Sequence, residues 1–271
     1  MLDIHSTAVV HPKAELGSDV VVGPYSVIGP GVSVGEGTWI GAHAVLEGNT
    51  TIGRGNRIFH GAALGGVPQD LKYRGEKTWL RVGDSNTIRE YATLNMACIE
   101  GEATEVGNGC LLMAYVHVAH NCKIGSRVIL ANAVNLAGHV RVDDHASIGG
   151  LTPVHQFVRI GSFAFVGGGS RVPKDVAPFV RAAGNPLRIV GLNSVGLERH
   201  GFDEDRRLVL KRAYRIVFRS GLNVTQAVEK LRSDFGADDD VRTLLEFIET
   251  SERGIESSAV LGPRSGPSSD S

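Results

Sequence analysis

The chain has 271 residues, 42% of them hydrophobic, and a formal net charge of −1 at pH 7. That length and apolar content suit one large or two modest domains, and the near-neutral balance argues against a general nucleic-acid binder. There is no apolar run long enough for a membrane span, and repetitive sequence begins almost at Met1, so no signal peptide is expected and a cytoplasmic location is the default reading. Cys98, Cys110 and Cys122 are odd in number and show no CxxC spacing. They are expected to be small core residues of a reducing compartment, without a redox or metal role.

From Ile4 to Val172 every sixth residue is Ile, Leu or Val at 26 of 29 positions, the exceptions being Asp70, Glu76 and Glu100. A period of six is neither the 3.6 of a helix nor the 2 of a strand, so the chain must turn a corner after each short strand. Gly often follows the aliphatic position, as in Val22-Gly23, Val34-Gly35 and Ile148-Gly149. Small or β-branched residues such as Ala44, Cys110, Cys122 and Ser170 precede it by two and form a second inward set. Three hexads make a coil of about 18 residues, and stacked coils bury a continuous aliphatic column in a mainly β solenoid. The 35 glycines are expected at its corners rather than as a mark of disorder.

The repeat is interrupted at 65–81 and again at 95–105, each time without loss of the six-residue phase. Both stretches are expected to be loops ejected from the coil, and long loops on a rigid scaffold tend to carry function. The solenoid domain is assigned to residues 1–184 and a small α-helical domain to 185–255. Asp203 can start a helix through Arg219, Asn223 or Thr225 a second to Phe235, and the Asp-rich turn at 238–240 a third through about Arg253. Residues 256–271, rich in Ser and Pro, are expected to be a disordered tail.

Residues 18 apart should lie above one another, which places His120, Gly138 and Gln156 in one column. His117 points outward because Val116 and Val118 are inward, and His139 and His155 fall beside that column one and two coils higher. An imidazole there could act as general base, with the Gly138 N–H about 4.8 Å above it as an oxyanion donor. Base plus oxyanion donor describes acyl transfer to a hydroxyl. No Ser or Cys nucleophile is evident beside His120, so direct attack by the substrate alcohol is the simpler route. A zinc site between subunits and a non-catalytic scaffold are the rival readings of the same solenoid.

Ala119-His120-Asn121-Cys122, Leu136-Ala137-Gly138-His139-Val140, Gly149-Gly150, Val154-His155-Gln156-Phe157, Gln69-Asp70-Leu71-Lys72-Tyr73 and Gly196-Leu197-Glu198-Arg199-His200-Gly201-Phe202 carry a resemblance. Over roughly residues 3–255 the chain resembles the bacterial UDP-N-acetylglucosamine 3-O-acyltransferase family of lipid A biosynthesis. The resemblance implies a left-handed parallel β-helix, a homotrimer with active sites between neighbouring prisms, and acyl carrier protein as the donor's carrier, its phosphopantetheine bearing a (3R)-3-hydroxyacyl chain. No dissociable cofactor and no metal are implied. His120 would deprotonate the glucosamine 3-hydroxyl and Gly138 would hold the oxyanion. Gln69, Asp70 and Lys72 would contact the sugar, and His117, His139 and His155 would line the sugar and acyl pocket. Gln156 and Arg199 would approach the diphosphate and Asn193 the uracil, while Gly168 would set the acyl-chain length.

The family pattern is not met everywhere. Asn121 stands where some members have Asp, Asn95 where some have His, His200 where a second Arg is frequent, and Val195 where an acidic residue can occur. The 3-amino sugar analogue, or another acyl donor and acceptor used by a related hexapeptide-repeat transferase, is the alternative. Arg207, Lys211, Arg215 and Arg219 recur every four residues, a basic stripe expected to dock the acidic carrier protein.

Overall fold

The computed structural model describes residues 1–256. Short strands repeat along the chain and each pairs in parallel with the strand one coil on, as in Asp3↔Val21, Val21↔Trp39 and Trp39↔Arg57. The chain visits three sheets in turn, so the coil has three faces. Face one runs from Asp3–Ile4 through Phe165–Val166, face two from Val9–Val10 through Pro153–Val154, and face three from Glu15–Leu16 through Arg159–Ile160. The six-residue aliphatic positions point inward: Ile28, Leu46, Leu64, Leu94, Val118, Leu136 and Val154 stack along face two, none more than 3% exposed. Each such side chain contributes roughly 1.5–3 kcal/mol of burial.

The corners are built differently from the expectation. The left-handed backbone position is the third residue after the inward aliphatic, and it is mostly occupied by residues other than glycine: Tyr25 (φ +59°), His43 (+56°), Asn121 (+59°), His139 (+61°) and Phe157 (+63°). A side chain there costs about 1–2 kcal/mol. The strain is offset because the corner N–H bonds the coil below, as His139 N–H does to the His120 carbonyl at 3.0 Å. Glycine right after the aliphatic answers to close stacking instead. A Cβ on Gly35 would lie 2.6 Å from the Gly53 carbonyl one coil up.

Both interruptions are ejected loops. Arg57 pairs with Thr87, 30 residues on, and Thr87 with Leu111, 24 on, so the coils of 18 have gained twelve and then six residues with inward phase intact. The strands intrude further than expected, with Ala63–Gly66, Trp79–Val82, Thr93–Asn95 and Ala103–Val106 all laddered, which leaves 67–78 and 96–102 outside the coil. The three carboxylates that break the aliphatic period each accept a backbone N–H within these loops: Asp70 from Lys72 (2.9 Å), Glu76 from Arg74 (2.6 Å) and Glu100 from Lys77 (2.6 Å). The last of these ties one loop to the other.

Face one continues past Val166 with Val180–Ala183 in parallel and then Arg188–Leu192 antiparallel, a hairpin whose turn contains the expected domain boundary at 184/185. Four helices follow among the described residues: α1 (Ser194–Arg199), α2 (Glu204–Arg219), α3 (Val224–Phe235) and α4 (Asp239–Glu249). Asp203, Asn223 and Asp238 cap the last three by accepting N–H bonds from Arg206, Gln226 and Val241. α1 is too short to show a period, and α4 stops before Arg253, at a Thr250 cap. The helices are fastened to the last coils where the Arg159 guanidinium lies 4.3 Å over the Phe247 ring and donates to the Thr250 carbonyl at 3.0 Å. Buried Asp175 accepts from the Arg159 N–H and the Ser251 hydroxyl. The expected tail lies, apart from Glu256, outside the described residues, and among those described no helix is long and apolar enough to cross a membrane.

Gly35→Ala should therefore destabilise the coil by about 1–3 kcal/mol, since backbone rather than a flexible side chain meets the new methyl. Denaturant unfolding checks this, and an unchanged midpoint would contradict the stacking argument.

Candidate active site

The turn between His117–Val118 on face two and Lys123–Ile124 on face three forms one edge of the coil, and His120 stands on it. Its ring is held from several sides. Nδ1 lies 2.9 Å from Asn121 Oδ1 and 3.3 Å from Cys98 Sγ, while Nε2 lies 3.9 Å from Asp70 Oδ2. The Asn121 amide cannot be turned round without loss, because Oδ1 accepts the Cys98 N–H at 3.0 Å and Nδ2 donates to Glu102 Oε2 at 2.6 Å. Oδ1 therefore faces the ring as an acceptor. Nδ1 carries the proton, and Nε2 keeps its lone pair toward Asp70.

Gly138 lies one coil above. A Cβ there would fall 2.6 Å from His120 Nε2 and closer still to Cε1, so only glycine lets the ring occupy this place. Among the described residues the Gly138 N–H has no acceptor in the coil. His139 follows with its ring 5.2 Å from that of His120 and perpendicular to it, and stacks at 4.6 Å on Phe157 in the coil above. Burial, and then the neighbouring His120, hold the His139 imidazole below its usual pKa, so it favours the neutral form. His117 is shifted the same way for the same two reasons, and its Nδ1 is 2.7 Å from the Thr93 hydroxyl.

The ejected loops complete the group. The Lys72 N–H holds the Asp70 carboxyl below the usual range against the opposing effect of burial, and His120 acts in the same direction as that N–H when it takes up a proton. The Cys98 thiol is raised above its usual pKa by burial and then by the charge of Asp70. Cys110 and Cys122 are buried in the interior as expected, but Cys98 is not a core residue: the second loop brings it against His120. Cys98, His120 and His139 each bring one ligand atom within 4.8 Å of the others, a group that could hold a metal ion.

Not every expected residue is here. His155 and Gln156 are exposed two coils above, with His155 Nδ1 3.1 Å from the Gln156 carbonyl, and Gln69 and Lys72 are exposed on the first loop. Arg199 ends α1 and Asn193 precedes it, on the edge between faces three and one, where Asn193 caps the helix and donates to the Phe163 carbonyl at 2.9 Å. Gly168 lies on the remaining edge, where a Cβ would come 3.1 Å from the Gly150 carbonyl. Within one chain these three stand on edges other than that of His120. Of the basic stripe, Lys211, Arg215 and Arg219 line a groove of about 620 Å³ with Val190, Leu192 and Tyr214, while Arg207 pairs with Glu198 at 3.4 Å. Cys98, Thr93, Glu102 and Phe157 were not among the expected site residues: loop conformation brings Cys98 and Glu102 in, whereas Phe157 could have been found from the 18-residue spacing that links Asn121, His139 and Phe157.

A three-faced parallel coil with an imidazole and an unused N–H at one edge defines a transferase of the hexapeptide-repeat class. Residues 103–138 match the family described as bacterial transferase hexapeptide (six repeats), and residues 175–256 match Udp N-acetylglucosamine O-acyltransferase, Domain 2. The acyl-[acyl-carrier-protein]–UDP-N-acetylglucosamine O-acyltransferase of Halorhodospira halophila is 50% identical over 256 residues, covering 94% of this chain and 99% of its own length. That of Herminiimonas arsenicoxydans is 48% identical over 257 residues, 93% and 98% of the two chains. The LpxA structure from Acinetobacter baumannii superposes with a TM-score of 0.90 at 42% identity, covering 93% of this chain and 99% of that one. The chain belongs to the acyl-[acyl-carrier-protein]–UDP-N-acetylglucosamine O-acyltransferase family.

Gly138→Ala should push the His120 ring off its position and lower kcat by about 10²-fold, the typical effect of a displacement near 1 Å. Steady-state kinetics with a thermal melt would separate this from unfolding, and a fully active variant would contradict the packing of the two residues.

Proposed function

We propose that this chain transfers a (3R)-3-hydroxyacyl group from acyl carrier protein to the 3-hydroxyl of UDP-N-acetylglucosamine, the first step of lipid A biosynthesis. The observation that carries the reading is the His120 Nε2 lone pair, fixed by the Asn121 acceptor on a ring that packs against Gly138, whose N–H has no acceptor in the coil among the described residues. His120 takes the proton of the 3-hydroxyl as that oxygen bonds the thioester carbonyl carbon. The carbonyl oxygen becomes an oxyanion facing the Gly138 N–H, and collapse expels the phosphopantetheine thiolate, which recovers the proton from His120. Asp70, 3.9 Å from Nε2, is spaced so that a sugar hydroxyl can lie between carboxylate and ring. With the expected left-handed winding and a homotrimer, the three edges also find a use. His120, Gly168 and the Asn193–Arg199 segment stand on different edges, so a cleft between copies would unite base, acyl ruler and nucleotide contacts.

The outward residues of the faces support such an assembly. Face two presents Val9, Val27, Val45, Ala63 and Pro153 with the uncharged or imidazole side chains Thr93, His117 and Asn135, whereas face three presents Glu15, Arg81, Glu105, Lys123, Arg141 and Arg159 with only Ser33 and Thr51 uncharged. The largely uncharged face suits burial against another copy and the charged one does not. Gln69, Lys72, His117, His139, His155 and Gln156 then supply the sugar and diphosphate contacts. A 3-amino acceptor is the second reading, favoured by Asn95, whose buried Oδ1 has no hydrogen-bond partner among the described residues and so could accept an amine N–H.

Transfer of 3-hydroxymyristate from acyl carrier protein to UDP-N-acetylglucosamine, run beside the 3-amino sugar, tests both readings. Ester product that falls about 10²–10⁴-fold in His120→Ala, with the fold intact, is expected. Product only with the amine would transfer the assignment to amide formation. The Lys211, Arg215 and Arg219 groove is assigned to the carrier protein, so Lys211→Glu with Arg215→Glu should raise KM for the acyl carrier protein and flatten its salt dependence while leaving KM for the sugar nucleotide unchanged.

A further inference from the structure

We propose that Glu102 is a positioning residue for His120 and acts through the Asn121 side chain. The inference rests on His120 as the base. Glu102 lies at the end of the second ejected loop, its backbone held by the bonds from its N–H to the Ile99 carbonyl (3.0 Å) and from the Trp79 N–H to its own carbonyl (3.1 Å). From there its carboxylate accepts the Asn121 Nδ2–H at 2.6 Å, and Asn121 Oδ1 in turn accepts from His120 Nδ1 at 2.9 Å. Asn121 is itself fixed: it is 6% exposed, its backbone takes the left-handed corner conformation, and its N–H donates to the Thr104 hydroxyl at 2.8 Å.

An amide beside an imidazole is an ambiguous partner, because its oxygen would leave the proton on Nδ1 whereas its NH2 would drive the proton to Nε2 and abolish the base. Here the ambiguity is removed by two neighbours. The Cys98 N–H can only donate and meets Oδ1, while the Glu102 carboxylate can only accept and meets Nδ2. The carboxylate does more than select an orientation. Its charge polarises the amide, so that Oδ1 becomes a stronger acceptor when His120 takes up a proton and turns cationic. Position 121 carries no carboxylate of its own, and Glu102 supplies one from a separate loop, one hydrogen bond further away.

The charge can be moved to test this. In Glu102→Ala, kcat should fall roughly 10-fold, with KM for UDP-N-acetylglucosamine held within about twofold, because the change concerns the state of the base and not sugar binding. Glu102→Gln keeps an acceptor without the charge and should fall between the two. Adding Asn121→Asp to Glu102→Ala should recover most of the lost kcat, since a carboxylate at 121 accepts from Nδ1 in either orientation. Asn121→Asp alone should be slower than that double variant, because two carboxylates would then face each other across the 2.6 Å contact. A wild-type kcat in Glu102→Ala, a loss expressed only in KM, or a double variant no faster than Glu102→Ala would overturn the proposal. His120→Ala is run in parallel: if it keeps turnover, the assignment of the base fails first, whereas an inactive His120→Ala with an unaffected Glu102→Ala removes Glu102 alone.

Discussion

Everything in this molecule depends on the parallel backbone bonding of each coil to the next. Because a corner N–H must reach the carbonyl of the corner below, as His139 reaches His120, the coil can neither lengthen nor slip without losing a ladder of bonds. That constraint accepts about 1–2 kcal/mol of left-handed strain at corner after corner and fills the positions with Tyr, His, Phe and Asn. It also demands glycine where two coils pass closest. The two inserts are whole hexads, twelve and six residues, and so leave the inward column undisturbed.

The same rigidity makes a corner a good place for chemistry. A residue on a corner sits on a backbone with little freedom to adjust, so the coil fixes where His120, Gly138 and His139 stand, and the loops then set the state of the His120 ring. What the coil cannot provide is variety, since its corners repeat. The ejected loops supply that, bringing Asp70, Cys98 and Glu102 to an edge whose own residues are imidazoles, an amide and glycine. The carboxylates that interrupt the aliphatic period are thus used twice: they satisfy loop N–H groups, and at Asp70 the carboxylate also faces the base.

A three-faced rod distributes its functional residues over edges that never meet within one copy. His120, Gly168 and α1 each occupy a different edge, and the largely uncharged outward row of face two contrasts with the charged row on face three. Such a division of labour is intelligible if copies stand side by side, with the edge of one completing the edge of its neighbour. The C-terminal helices fit this scheme, fastened to the last coils through Arg159 and Asp175 and offering a groove that combines basic and apolar side chains.

The sequence by itself determined the coil, because a period of six admits one kind of chain path, and it determined the column of His120, Gly138 and Gln156 through the 18-residue stacking that follows. The helix starts at Asp203, at Asn223 or Thr225, and in the 238–240 turn were equally legible, since capping is a local property, and the structure selects Asn223 and Asp238. The role of glycine was misjudged, because whether a position needs positive φ or merely lacks room for a Cβ depends on the coil above. Only the tertiary structure decided that Cys98 leaves the core to touch His120, that Glu102 holds Asn121, and that Asn193 caps α1 on a different edge. Loop conformation and inter-coil contact are long-range, and no local pattern encodes which polar atom a loop will bring to a neighbouring turn.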